Sequence, residues 1–244
     1  MQVFPTPVEA VLFDWDGTLA DTLALVTVAT NEVLIAAGFG ELDEAAIHDG
    51  MRFPTAQRMA HHMGRRCDEP RTGALARRLA DEFYGAADRL GHLHVRLFPH
   101  VREMLDAIAA AGIPMGIVTN NRGTTVRRLL AHLGLTGHFR TVVAEEDVAQ
   151  TKPHPEGVLA AVAALGVRVG HTVYVGDSLT DEQAAVSAGC SAVGAGWPRE
   201  SIVHSGMNTF TVVCEQPAEL AEAVLARTGS AGAIGPGGEQ GFHG

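Results

Sequence analysis

The sequence predicts an α/β protein, a doubly wound parallel sheet carrying an inserted all-helical unit. Three features predict it. Short apolar runs that end at once in polar or glycine residues recur along the chain, as expected of strands buried on both faces. Helical patterning separates each run from the next, which is how parallel strands are joined. One long stretch, from Thr22 to about Leu90, has helical periodicity and no convincing strand.

Taken in order, residues 9–13 (Glu-Ala-Val-Leu-Phe) form the first strand, stopped by Asp and Gly. In the helical stretch that follows, Leu75, Leu79, Phe83 and Ala86 or Ala87 recur at helical spacing. It reads as a cap over residues 21–92, joined to the core at residues 20–21 and 91–96. The core is then residues 1–20 and 93–227, a Rossmann-like sheet. Pro99 opens a helix that Gly112 closes, and Pro155 opens another that ends near Gly166. Further strands are expected at residues 113–118, 141–144, 172–175 and 191–193. After Thr228 the chain becomes so rich in glycine that burial cannot offset its ordering entropy, and residues 228–244 are expected to be disordered.

Composition excludes several classes. A net charge of −10 argues against a nucleic-acid polymer as partner, because such binding needs a basic face. No apolar run is long enough to span a bilayer, and residues 1–10 hold Pro5 and Pro7 but no signal-peptide pattern. A cytoplasmic protein that does not engage a membrane is expected. Cys67, Cys190 and Cys214 show no CxxC spacing, so neither a zinc site nor a redox pair is expected. Lys152 is the only lysine, every other basic side chain being arginine, which marks it as a position where a guanidinium does not substitute.

Chemistry gathers at strand ends. Asp14-Trp15-Asp16-Gly17-Thr18 directly follows the first strand, where open α/β sheets bind ligands. Two carboxylates one residue apart serve one site only if the chain bends after Asp14, and Gly17 permits the bend. Asp14 can then attack phosphorus while Asp16 protonates the leaving alkoxide. Thr119 and Asn120 end the strand at residues 113–118, ahead of Asn121, Arg122 and Gly123 at the next helix start. Thr119 and those helix-start amides are placed to hold phosphoryl oxygens, with Asn120 as a further substrate contact; an ordinary helix cap is the other reading of Thr119. Lys152, before Pro153, can neutralise charge on nucleophile and phosphoryl group. Gly176-Asp177-Ser178-Leu179-Thr180-Asp181 adds two acids. Asp14, the Asp16 carbonyl, Asp177 and a substrate phosphate suit magnesium, with Asp181 either ligating or orienting a water.

These elements, Asp-x-Asp-Gly-Thr, a strand-end Thr, Lys-Pro and Gly-Asp-Ser-x-x-Asp, resemble the haloacid dehalogenase superfamily from about Val8 to Val213. The resemblance implies Asp14 as nucleophile, Asp16 as general acid and base, Thr119 and Lys152 as phosphate binders, and a magnesium site on Asp14, Asp16 and Asp177. Retention of Asp16 favours phosphoryl transfer over dehalogenation. A cap without lysine argues against a phosphonatase, and Val26 stands where a mutase histidine is expected. The chain looks most similar to phosphoglycolate phosphatase-like enzymes acting on a small phosphorylated substrate; a sugar-phosphate mutase and a non-catalytic binding module are the alternatives. In the cap, Arg52 in Gly50-Met51-Arg52-Phe53-Pro54 is the candidate clamp for an anionic substrate. The histidine pairs and singles of the cap fit no zinc signature and receive no role.

Overall fold

The computed structural model describes residues 4–51, 53–66, 68, 70–198 and 210–228. Arg52, Cys67, Arg199 and the tail from residue 229 onward lie outside the described residues, and with them the expectations placed on Arg52 and on the glycine-rich tail.

Strand β1 (Ala10–Phe13) is followed by a two-residue strand, β2 (Ala20–Asp21). Four helices come next, α1 (Leu23–Ala36), α2 (Glu44–Gly50), α3 (Thr55–His62) and α4 (Pro70–His94), and then a second short strand, β3 (Arg96–Leu97). From there helices and strands alternate: α5 (Val101–Ala110), β4 (Met115–Val118), α6 (Gly123–His132), β5 (Phe139–Val143), α7 (Glu156–Leu165) and β6 (Thr172–Gly176). The described chain closes with α8 (Leu179–Ala188), β7 (Ser191–Ala195), β8 (Val213–Cys214) and α9 (Pro217–Leu225).

Six strands pair in parallel in the order β5-β4-β1-β6-β7-β8. β1 sits where the chain order reverses, between β4 and β6, and the carboxyl ends at such a point open on a ligand crevice. Register aligns Phe13 with both Ile117 and Val175, which brings the three strand ends to one level. Val11, Phe13, Val173 and Val175 share a core with Leu105, Ile108, Val126 and Leu220, whereas Leu12 and Tyr174 pack with Val158, Ala161, Ala184 and Ala185. Alternate residues of a strand therefore face different helical layers, the reason its apolar run is continuous. Each such fully buried Leu or Phe contributes about 1.5–3 kcal/mol.

The helices α1 to α4 form the insert, with Leu25, Val26, Met59, Ala76, Leu79 and Phe83 buried. Its two junctions with the core pair with each other, Ala20 with Leu97 and Asp21 with Arg96, as an antiparallel ribbon. Salt bridges from Arg122, the residue before α6, to Asp81 (2.6 Å) and from Arg128 in α6 to Asp88 (2.6 Å) tie this segment to α4. The ribbon and β8 were beyond reach from sequence, since two residues carry no periodicity. β5 starts two residues ahead of its expected position because Phe139 packs edge-on against Phe13, ring centroids 6.4 Å apart. Among the described residues no helix is long and apolar enough to cross a membrane.

Candidate active site

The site grows from the turn after β1. The N–H groups of Thr18, Leu19 and Ala20 converge on the Trp15 carbonyl, and the Gly17 N–H donates to the Ala20 carbonyl. This is the bend that two neighbouring aspartates require. Gly17 has φ +77°, and a Cβ there would lie 2.6 Å from Asp177 Oδ2, so both backbone and space demand glycine. Gly17→Ala is expected to cost about 1–3 kcal/mol of stability and to displace Asp177. Denaturant unfolding measures the loss; a wild-type midpoint would contradict this account of the turn.

Asp14, almost fully buried, anchors its N–H on the Val175 carbonyl (2.9 Å). Lys152 Nζ donates to Asp14 Oδ1 (2.6 Å), to Asp181 Oδ1 (2.6 Å) and to the Tyr174 hydroxyl (3.2 Å). Three acceptors match the three protons of an ammonium, a geometry that a flat guanidinium does not reproduce. The Tyr174 hydroxyl lies within donating range of Asp181 Oδ1 (3.0 Å) and the Val118 carbonyl (3.2 Å). Asp181, with no exposed surface, also accepts on Oδ2 from the N–H (3.1 Å) and the hydroxyl of Ser178. Both its oxygens are thus engaged.

Around this centre, Thr18 Oγ1 donates to Asp177 Oδ1 (3.0 Å). Asp16 accepts from Thr22 Oγ1 (2.7 Å) on one oxygen and from Asn121 Nδ2 (3.0 Å) on the other. The Asn120 amide closes on the main chain of Lys152, donating to its carbonyl (3.0 Å) and accepting from its N–H (2.9 Å). Thr119 Oγ1 accepts the Asn121 N–H (3.0 Å), so the hydroxyl proton is free to be donated elsewhere. The helix-start amides differ from expectation. Those of Asn121, Arg122 and Gly123 are held by Thr119, by the Asn121 side chain and by Glu146 respectively, because α6 begins only at Gly123. They are not spare donors for a phosphoryl group.

Asp14, Asp177 and Asp181 bring carboxylate oxygens within 4.8 Å of one another. Burial, and after it Asp181, raises the Asp14 carboxyl well above the usual range, with Lys152 opposing. Asp177 is pushed up to about 7, first by burial and then by Asp181. Burial alone would lower the Lys152 ammonium, but the Asp14 and Asp181 carboxylates outweigh it and hold it well above the ordinary lysine range. Three acids to one ammonium leave the cluster short of positive charge. A hard divalent cation, which prefers oxygen ligands, fits both the donor set and the deficit.

A cavity of about 420 Å³ opens over these groups. Asp14, Asp16, Thr119, Asn120, Lys152 and Asp177 line its core end, and Met51, Phe53, Thr55 and Arg58 its insert end. The structure therefore brings together Asp14, Asp16, Thr119, Asn120, Lys152, Asp177 and, just beneath them, Asp181. Sequence reading passed over Tyr174, Thr22 and the side chain of Asn121, of which it used only the main-chain amide. Tyr174 offered a signal, since a tyrosine in a strand buried on both faces needs a partner for its hydroxyl; the other two depend on how the turns meet.

The family model for haloacid dehalogenase-like hydrolases matches residues 11–195. The chain is 32% identical over 189 residues to a phosphoglycolate phosphatase of Yersinia pestis, covering 77% of this chain and 80% of that one. Among solved structures it resembles a haloacid dehalogenase-like hydrolase from Bacteroides fragilis (TM-score 0.78, 23% identity, covering 87% of this chain and 99% of that one). It also resembles a phosphoglycolate phosphatase-like protein from Lactobacillus plantarum (TM-score 0.76, 19% identity, covering 88% and 99%).

Proposed function

The chain belongs to the haloacid dehalogenase-like hydrolases and is a phosphatase, and from that premise we propose that it hydrolyses a small phosphate monoester through an aspartyl-phosphate on Asp14, with magnesium as cofactor. Phosphoglycolate, sugar phosphates and nucleotides are the substrate types in view. One observation carries the reading: a buried carboxylate at the end of the central strand, held on one oxygen by Lys152 at 2.6 Å and facing a cavity of substrate size.

With Lys152 on Oδ1, the other Asp14 oxygen attacks phosphorus and the bond from phosphorus to the ester oxygen breaks. Asp16 gives its proton to the departing alkoxide, so the alcohol leaves neutral. Asp16 then takes a proton from water as that water attacks phosphorus, the bond to Asp14 breaks, and inorganic phosphate leaves. Thr22 and Asn121 keep Asp16 aimed through both steps. The Thr119 hydroxyl donates to a phosphoryl oxygen, and Lys152, its three protons held by Asp14, Asp181 and Tyr174, supplies positive charge beside the phosphoryl group. Asn120 acts by holding the main chain of Lys152 in place.

Asp14, Asp177 and the Asp16 carbonyl are the groups we assign to magnesium, which when bound neutralises charge on the phosphoryl oxygens. Asp181 belongs with Lys152, because both its oxygens are already engaged. Below about 7 the Asp177 carboxyl keeps its proton, which the cation must displace, so affinity falls as pH falls. Phosphate release from a panel of small esters, titrated with magnesium at about pH 8 and about pH 5.5, is expected to need roughly tenfold more cation or greater at the lower pH. No release from any ester would overturn the reading; release that does not depend on magnesium would remove the cofactor.

A further inference from the structure

Where the insert lines the cavity, it presents a cation with no salt-bridge partner among the described residues. Arg58, in the second turn of α3, is 7% exposed and lines the cavity. Its guanidinium lies over the Phe83 ring, 4.4 Å from the centroid, a stacking that fixes the plane of the group. Nε and one terminal nitrogen are buried with no acceptor among the described residues. A buried guanidinium is normally paired, since desolvating its charge is costly.

The acids around it are committed elsewhere. Its electrostatic neighbours are Tyr84, Asp16 and Glu145. Asp16 accepts from Thr22 and Asn121, and Glu145 accepts the Tyr84 hydroxyl proton at 2.8 Å. Asp49, also at the cavity, is bridged to His61 at 3.1 Å. His62 is pushed down to about 4 by burial and by Arg58 itself, so it is neutral at physiological pH and offers no charge of its own.

We propose that Arg58 anchors a second anionic group of the substrate, a carboxylate or a second phosphate, so that the enzyme selects phosphate esters charged at both ends. This rests on the reading of Asp14 as the phosphoryl-transfer residue, which sets the reacting phosphate in the same cavity that Arg58 lines. A flat, stacked guanidinium recognises a carboxylate or phosphate by paired hydrogen bonds, and the pairing is strong because the site is desolvated before the ligand arrives. An uncharged tail would leave the cation unmet.

The test compares three esters: phosphoglycolate, its uncharged amide, and propane-1,3-diol bisphosphate. In the wild type kcat/KM is expected to favour one or both charged-tail esters over the amide by about 100-fold, and which of the two leads identifies the anion. In Arg58→Met that ratio is expected to fall to within about fivefold of one, with Arg58→Lys between. A wild-type ratio near one, or a ratio that survives in Arg58→Met, would overturn the inference. The wild-type comparison does not depend on the variants folding. Should no ester turn over, the phosphatase reading fails, and calorimetric binding of the same compounds then judges Arg58 separately: equal affinity for acid and amide would overturn it, and a preference lost in Arg58→Met would uphold it.

Discussion

Asp14→Asn is expected to lower phosphate release by at least about ten-thousand-fold, the scale reached when a covalent nucleophile is removed, while leaving the fold intact. The substitution changes one oxygen to an amide nitrogen and almost nothing in shape. Lys152 still finds an acceptor, the amide oxygen. What disappears is the lone pair that attacks phosphorus, together with one of three crowded acids. Because burial and Asp181 already disfavour ionised Asp14, the unfolding midpoint is expected to hold or rise, and magnesium is expected to stabilise the variant less than the wild type. Thermal melts with and without the cation, beside the release assay, separate a lost nucleophile from a lost fold. Activity within about tenfold of wild type would sink the aspartyl-phosphate mechanism.

The second large effect is expected at Lys152. Its ammonium sits between Asp14 and Asp181 with 4% of its side chain exposed, and Lys152→Met leaves two buried carboxylates without their shared cation. Breaking such an arrangement costs about 3–5 kcal/mol, and turnover is expected to fall about a thousand-fold as the phosphoryl group loses its positive partner. Lys152→Arg is expected to rescue neither, since a rigid fork does not fit three acceptors grouped around one point. The pH dependence has a defined sign. Without the ammonium, the Asp14 carboxyl, which burial and then Asp181 raise, is expected to titrate in the fold above the unfolded-state value for aspartate, so the folded state binds more protons. Stability of Lys152→Met therefore rises as pH falls from about 8 toward about 4. Urea unfolding across that range is the measurement; a variant as stable as wild type at neutral pH would show that the buried triad is not held by this cation.

Asp14, Asp16, Thr119, Lys152 and Asp177 could be located from sequence for a simple reason. Asp14, Thr119 and Asp177 directly follow a strand, with Asp16 two residues on from Asp14, and a parallel sheet delivers such positions to one edge whatever the loops do. Lys152 stood out by being the sole lysine. Side chains whose partners come from elsewhere in the fold were not legible in the same way. Asn121 reaches Asp16 only because two turns meet, and Asn120 was read as a substrate contact although its amide faces the Lys152 main chain. Arg58 belongs to a helix whose pattern marks it as one more polar residue, and its burial follows from the packing of α3 on α4 beneath Phe83. The sequence signal for an arginine in the insert fell on Arg52, where a Gly/Pro-bounded loop invited attention.

The ribbon of β2 and β3 bears on how such a protein changes over generations. With Asp21 hydrogen-bonded beside Arg96, the insert leaves and re-enters the core at a single point, so the sheet meets its ends as it would those of a tight turn. Exchanging everything beyond that point need not strain the strands or move Asp14, Lys152 or Asp177, since elements whose ends lie close together are the ones a host fold accepts most readily. Heredity can then vary the two units separately, the sheet edge that carries Asp14, Lys152 and Asp177 and the four helices that meet it at one joint.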